Sequence, residues 1–156
     1  MDSHSIVLLH MIPGRISVVM PGAYGKYIKM FADLQEALKE TLTKLRNLLT
    51  WSAGWNGYDS LAPSSDAVLH AENWIVRLFL EVADLGLTWI QPNVIADANG
   101  DVVFEWWHGK KKLTVYIEDE SAEYVQVWGT NIHSEMSNGD AEPISTCRSL
   151  WLWLVS

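Results

Sequence analysis

Apolar residues recur at steps of three and four in the first half of the chain, which is the spacing of one face of an amphipathic helix. One such stretch covers about residues 30–50. A second follows Pro63, where the hydroxyl of Ser64 and the carboxylate of Asp66 are typical of a helix start, and it continues to about Leu85. The pattern therefore predicts two amphipathic helices, each with one buried stripe.

From Pro92 onward the period of the apolar residues changes to two, which is typical of β-strands. The runs with this period are residues 93–97, 101–108, 112–118 and 122–129. Short turns separate them, among them the step from Asn99 to Gly100, so consecutive strands have to pair antiparallel. A polar loop over residues 130–143 and a short apolar helix from Ile144 complete the chain.

These elements predict an α+β fold with two amphipathic helices, a four-stranded antiparallel meander and a short C-terminal helix. Two apolar runs before residue 30, split by Pro13 and Gly14, predict an additional N-terminal hairpin. We therefore divide the chain into an N-terminal hairpin or extension, residues 1–29, and a single α+β domain, residues 30–156. The pattern leaves open whether the first part joins the core.

Composition adds an excess of tryptophan: the chain has nine in 156 residues, and 49% of it is hydrophobic while only 19% is charged. A tryptophan needs a partner for its indole N–H, and interfaces favour this residue where one end is apolar and the other is wet. We expect some of the tryptophans to form a binding surface. The alternative is a large aromatic core that contains them all.

The net charge of −8 argues against direct nucleic-acid contact, because such affinity comes largely from Lys and Arg that neutralise phosphates. An acidic balance suits a basic protein surface as partner. Cys147 is the sole cysteine, which excludes an intrachain disulfide and indicates a reducing compartment. With no apolar run long enough to span a membrane, we expect a cytoplasmic protein without membrane contact.

The two faces of the predicted meander differ. Alternation places Leu113, Val115 and Ile117 on the side of the helices, together with Val125 and Val127 of the fourth strand. The opposite side then mixes aromatic and acidic residues, which is typical of an interface core. The residues we assign to a partner-binding surface on this side are Trp107, Tyr116, Glu118, Tyr124 and Trp128. The alternative is that the N-terminal strands or the last helix cover it.

One turn of the chain is made of Gly54, Trp55, Asn56, Gly57 and Tyr58, which Ala62, Pro63, Ser64 and a helix follow. The chain continues in a meander that contains Phe104, Glu105, Trp106 and Tyr124. With these features it resembles a widespread group of small uncharacterised bacterial proteins. Their hallmark is a Trp-Asp-Gly-Tyr-Gly-like turn. The resemblance covers about residues 48–154 and implies a bacterial or phage origin and a common fold, without an activity. The chain departs from the pattern at Asn56, where many members have Asp, and at Asp59, where many have Gly.

Residues of this turn are a second candidate for partner binding. Trp55 and Tyr58 are the aromatic side chains that a partner would contact there. The turn also has a purely structural explanation, because Gly54 and Gly57 permit positive φ and Asn56 can bond its own backbone.

Function is predicted from what the chain contains and lacks. We find no catalytic motif and predict no cofactor and no metal. The leading hypothesis is a non-enzymatic acidic binding protein of the inhibitor, antitoxin or immunity type that sequesters a protein partner. One alternative is a small metal- or histidine-dependent hydrolase or nuclease that uses Asp101, Glu105 and His108. Another is a structural homodimer closed by the C-terminal helix and a sheet face.

Overall fold

The computed structural model of the chain describes residues 23–156 as helices packed on an antiparallel sheet. The elements are α1 (Ala23–Leu48), α2 (Ser65–Asp84), β1 (Asn93–Ala96), β2 (Val102–His108), β3 (Lys111–Ile117), β4 (Ala122–Val127), β5 (Met136–Asp140) and α3 (Ile144–Val155). The predicted α+β class is confirmed, with five strands instead of four. The predicted N-terminal hairpin falls mostly on residues outside this range. No helix within 23–156 is long and apolar enough to cross a membrane.

Local chemistry supports the start of α2. The Ser64 hydroxyl caps α2 by accepting a hydrogen bond from the Ala67 N–H at 3.2 Å, and Asp66 lies in the first turn, next to the positive end of the helix dipole. This start agrees with the prediction. Helix α1 begins at Ala23, earlier than the predicted start near residue 30, so residues 23–29 of the predicted extension belong to a helix.

The strands form a meander in the order β1-β2-β3-β4-β5, and every neighbouring pair is antiparallel. Strand β5 lies inside the segment predicted to be a polar loop, so that part of the prediction is wrong. Apart from Met136 its residues are small or polar and show no apolar alternation, and it joins the sheet through backbone pairing with β4. Gly139 leaves the space that the ring of Tyr124 occupies, because a Cβ at Gly139 would lie 3.1 Å from that ring.

Aromatic residues from α2, β2 and α3 meet in the core. Trp106 is fully buried, and its ring centroid lies 6.3 Å from that of Trp74 and 5.9 Å from that of Trp151. Each of these three indole N–H groups donates to a backbone carbonyl, at 2.9 Å, 2.9 Å and 3.2 Å. The aromatic core expected as the alternative therefore accounts for these three tryptophans, whose polar groups are all satisfied.

Candidate partner-binding surface

Strand register divides the sheet into two faces, because directly paired residues of antiparallel strands point to the same side. Phe104 pairs with Val115, and both belong to the buried core, which defines the inner face. Trp107 pairs with Lys112 and Lys112 pairs with Val127, so these three side chains share the opposite side. We call that side the outer face.

The outer face follows from the pairings of all five strands. It consists of Asn93, Ile95, Val103, Glu105, Trp107, Lys112, Thr114, Tyr116, Glu123, Val125, Val127, Met136, Asn138 and Asp140. Within the described part of the chain, the core cluster formed by the helices and the sheet contains none of these residues. The helices therefore pack against the inner face.

Three large apolar side chains of the outer face are exposed. Trp107 is 62% exposed, Met136 40% and Tyr116 38%. Between them, two residues of the central strands are buried: Val103 is 3% exposed and Thr114 is 5% exposed. Exposed aromatic side chains and methionine are enriched at protein interfaces, so these three residues make the outer face a candidate interface.

Trp107 is held in place by its neighbours on the face. The Nζ atom of Lys112 lies 4.9 Å from the centroid of the Trp107 ring and 2.6 Å from a carboxylate oxygen of Glu105. The hydrogen bond from Lys112 is the main reason that the pKa of the Glu105 carboxyl lies below its usual value, with partial burial acting against it. The charge of Lys112 is thereby neutralised within the face, while its stem and ammonium group support the indole.

One end of the sheet carries a concentration of carboxylates. The turn from β3 to β4 contains Glu118, Asp119 and Glu120, and it lies beside Asp101 of the preceding hairpin. The pKa of Asp101 is raised, first by partial burial and then by the negative charges of Asp97, Glu118 and Asp119. Among residues 23–156, no ion pair involves any of these carboxylates. This acidic end is therefore a region of uncompensated negative charge.

Of the residues predicted to share one face of the sheet, the structure places two on the outer face and two on the inner face. Trp107 and Tyr116 lie on the outer face and are exposed. Tyr124 pairs with Val115 and packs against the core, so it lies on the inner face. Trp128 follows β4 on the same alternation, and its ring lies 6.2 Å from that of Trp153 in α3.

The error has a definite cause in β4. Ala122, the first residue of that strand, pairs with Ile117 and is buried, which turns Val125 and Val127 outward. The aliphatic side chains of β4 were predicted to face the helices, but a shift of one residue exchanges all the side chains between the two faces. Glu118 lies beyond the end of β3, where its carboxylate accepts a hydrogen bond from the Ser121 hydroxyl at 3.2 Å.

The residues of the second predicted site lie in the loop between α1 and α2. Trp55 is partly buried and packs against Trp51 with the ring centroids 4.7 Å apart and the ring planes tilted by 46°, and its indole N–H donates to the Leu61 carbonyl at 3.1 Å. Tyr58 is 82% exposed at the tip, where its N–H donates to the Asn56 side chain at 2.9 Å. The loop is therefore internally fixed, and Tyr58 is its one large aromatic side chain offered to solvent.

Asp101, Glu105 and His108, the residues of the alternative hydrolase site, do not lie close together. Asp101 precedes β2 and His108 ends it, and the rise along a strand separates their backbones by about 20 Å. Glu105, between them on the outer face, is paired with Lys112. Across the described residues, no group of three or more His, Cys, Asp or Glu side chains is placed to hold a metal ion. These three residues therefore do not form one catalytic site.

Sequence reasoning missed Met136 and Asp140, which join the outer face through β5. The segment has no periodic apolar signal from which its pairing could have been predicted. An edge strand of this kind is held mainly by hydrogen bonds to the backbone of its neighbour, and these leave no pattern in the side chains.

No protein-family model, no curated protein and no solved structure matches the chain. The resemblance to small bacterial proteins with a Trp-Asp-Gly-Tyr-Gly-like turn therefore stays a prediction.

Proposed function

We propose that the chain is a non-enzymatic binding protein that sequesters a protein partner on its outer face, as inhibitors, antitoxins and immunity proteins do. The observation that carries the proposal is the exposed set Trp107, Tyr116 and Met136 on a sheet face where the core cluster of residues 23–156 has no member. A partner that covered these side chains would remove apolar area from water, which is the main driving force of association.

Two features support aromatic anchoring by Trp107. Its ring is exposed, yet it rests against Lys112, which Glu105 holds in turn, so the side chain loses little conformational freedom on binding. Tryptophan and tyrosine dominate the energetics of protein interfaces, and truncation of such an anchor costs about 2 kcal/mol or more. Trp107 and Tyr116 are accordingly the two residues that we assign to the centre of the contact.

The partner has a basic surface. The net charge of the chain is −8, and Glu123 and Asp140 add outward carboxylates close to the acidic end. Among the described outer-face residues Lys112 is the one lysine, and Glu105 neutralises its charge. Complementary charge accelerates encounter, and we expect the association rate to fall as salt increases. The resemblance implies a bacterial or phage origin, and the single cysteine favours a reducing compartment, so we propose a cytoplasmic location.

The test starts by capturing partners from an extract of the source organism on tagged wild-type protein. The retained protein is then produced separately, and its affinity is measured by isothermal titration calorimetry. We expect Trp107→Ala and Tyr116→Ala each to weaken binding by about thirtyfold. The matched control is Leu80→Ala, which removes an apolar side chain that is 60% exposed on α2, away from the outer face. Equal affinity of all four proteins would refute the proposed surface.

A further inference from the structure

Strand β5 lies at one edge of the sheet, and part of its backbone points away from its neighbour β4. The Ala141 N–H donates to the Ala122 carbonyl at 2.8 Å, and the Trp128 N–H donates to the Glu135 carbonyl at 3.0 Å. Backbone groups alternate in direction along an antiparallel strand, so the odd-numbered residues of this segment bond to β4. The N–H and C=O groups that point to the free edge belong to Met136, Asn138 and Asp140.

This row of backbone groups has no partner among residues 23–156, where no hydrogen bond uses the N–H or C=O of Met136, Asn138 or Asp140. All three residues are exposed. Proteins usually protect such an edge with Pro or Lys, with a β-bulge or with a covering helix. Residues 135–141 contain neither Pro nor Lys, and the register with β4 is uninterrupted. The edge of β5 is therefore able to pair with another strand.

The opposite edge of the sheet, at β1, is protected. Pro92 precedes the strand, and α1 packs beside it, since the Gln91 side chain donates to the Ala37 carbonyl of α1 at 2.9 Å. Just after β1, the Leu61 N–H of the loop between α1 and α2 donates to the Ala98 carbonyl at 2.9 Å. A proline, a helix and a loop thus flank β1. Of the two edges, the one at β5 is the one that suits strand addition.

Negative charge is unbalanced where β5 ends. Glu123 and Asp140 lie directly opposite each other, in the type of pair without mutual hydrogen bonds that brings side chains closest together. Like charges in such a pair repel. Among the described residues, no ion pair involves either carboxylate. Glu120 lines the same surface cleft. A cationic side chain placed beside Asp140 would relieve this repulsion.

The other end of β5 is apolar, because Met136 is 40% exposed there. Between the two ends, Ser137 and Gly139 carry small side chains or none, which allows a second backbone to approach closely. The edge is therefore directional, apolar where β5 begins and acidic where it ends.

We propose that the edge of β5 binds an extended basic segment of a partner protein, which adds a sixth strand antiparallel to β5. In this register a Lys or Arg of the segment lies opposite Asp140, and an apolar residue four positions later lies opposite Met136. Main-chain hydrogen bonds supply the affinity in strand addition, and alternate side chains supply the selectivity. A second copy of the chain does not fit, because residues 128–147 contain no Lys or Arg to meet the carboxylates.

The inference extends the proposed function, since it names the segment that a sequestered partner contributes. Only that link rests on the proposed function. Strand addition at the edge uses the backbone of β5 and does not require Trp107.

Fluorescence anisotropy with a labelled synthetic peptide tests the proposal. The probe is Lys-Thr-Thr-Thr-Ile, whose lysine lies opposite Asp140 and whose isoleucine lies opposite Met136. We expect saturable binding to the full chain and about tenfold weaker binding when glutamate replaces the lysine. A methyl group on the amide nitrogen of the third residue removes the N–H that donates to Asn138, and should weaken binding by about tenfold or more. The same methyl group on the fourth residue, whose N–H points away, should have little effect.

Two variants of the chain locate the binding at β5. Asn138→Pro removes an N–H without a partner among residues 23–156, so the variant should fold, yet it should weaken peptide binding by about tenfold or more. Asp140→Asn keeps the side-chain oxygen that accepts from the Glu142 N–H at 2.8 Å, and should weaken binding by about two- to fivefold. The control Leu80→Ala should bind like the wild type. Circular dichroism checks folding, and the methylated peptides test the wild type in any case.

Hydrogen exchange measured by NMR shows whether the edge pairs. The amides of Met136, Asn138 and Asp140 should exchange quickly in the free chain and slowly with the peptide bound. No saturation up to about 1 mM peptide, or equal weakening by both methyl groups, would overturn the proposal. Slow exchange in the free monomer would overturn it too, because the chain would then cover its own edge. A dimer that Asn138→Pro dissociates would likewise overturn it in favour of a second copy.

Failure of this inference can be told apart from failure of the proposed function. If the peptide does not bind while Trp107→Ala still weakens binding of the captured partner, the outer face remains the binding surface and only strand addition is refuted. If the peptide binds equally to the wild type and to Trp107→Ala, strand addition is supported without reference to the outer face.

Discussion

Trp106 and Trp107 are neighbours in β2, yet one is fully buried and the other is 62% exposed. The first contributes to an aromatic core with Trp74 and Trp151, and its indole N–H donates to the Ile90 carbonyl. The second stands on the outer face, against Lys112. The comparison shows that the tryptophan excess has two separate origins, a core and a surface, and that strand alternation assigns each residue to one of them.

The largest expected difference between the two faces is in stability. Trp106→Ala should reduce the free energy of unfolding by about 3–5 kcal/mol, because it leaves a large cavity and an unpaired Ile90 carbonyl. Trp107→Ala should cost less than about 1 kcal/mol, since it removes an exposed ring and one cation–π contact. Urea unfolding monitored by circular dichroism measures both. Similar losses for the two variants would mean that the faces are not distinct.

The next effect concerns the turns on either side of β2, which set its register. Gly100 has a φ of +88°, and a Cβ there would lie 2.6 Å from the Ala62 carbonyl oxygen. Gly109 has a φ of +58° with nothing near its Cβ position. Gly100→Ala should therefore cost about 2 kcal/mol or more, and Gly109→Ala about 1 kcal/mol. Thermal unfolding of both variants compares them, and a larger loss at Gly109 would contradict this explanation.

A smaller effect tests the face assigned to Tyr124. This residue lies against the core on the inner face, whereas Tyr116 is 38% exposed on the outer face. We expect Tyr124→Ala to lower the free energy of unfolding by about 2 kcal/mol and Tyr116→Ala by less than about 1 kcal/mol. In partner binding the order should reverse. If Tyr124→Ala impaired binding in a stable protein while Tyr116→Ala did not, the outer face would be assigned wrongly.

The smallest effects depend on pH. The folded state lowers the pKa of Glu105 from 4.5, chiefly through Lys112, so its contribution to stability is present above about pH 4.5 and is lost as the pH falls through the lowered pKa. Glu105→Gln should destabilise the protein by less than about 1 kcal/mol at neutral pH. The difference from wild type should disappear in acid, which unfolding curves at several pH values would show.

Asp101 at the acidic end should behave in the opposite way. Its pKa is raised above 3.8 in the folded protein, by partial burial first, so the folded state binds the proton more tightly and stability falls as the pH rises through this range. Asp101→Asn should therefore slightly stabilise the protein at neutral pH and change nothing below about pH 3. A neutral-pH loss of stability in this variant would show that the carboxylate has a favourable contact.

The sequence by itself determined the helices and strands whose apolar residues recur at a regular spacing. The stripe of α2, its cap at Ser64 and the alternation of Phe104 and Trp106 with Trp107 follow from local spacing, because a side chain's direction depends on its position within a regular helix or strand. The first three hairpins of the meander followed likewise from short turns. The exposure of Trp107 and Tyr116 could therefore be predicted before their surroundings were known.

Only the tertiary structure decided which face each residue of the fourth strand takes and that a fifth strand forms. The direction of Tyr124 depends on how the β3–β4 turn sets the pairing of Ala122 with Ile117, and the turn's composition alone does not determine that register. Strand β5 exists because β4 offers it backbone hydrogen bonds and Gly139 makes room for Tyr124. Pairing between distant segments, and the choice of face that follows from it, is a property of the assembled sheet and leaves no periodic mark on the chain.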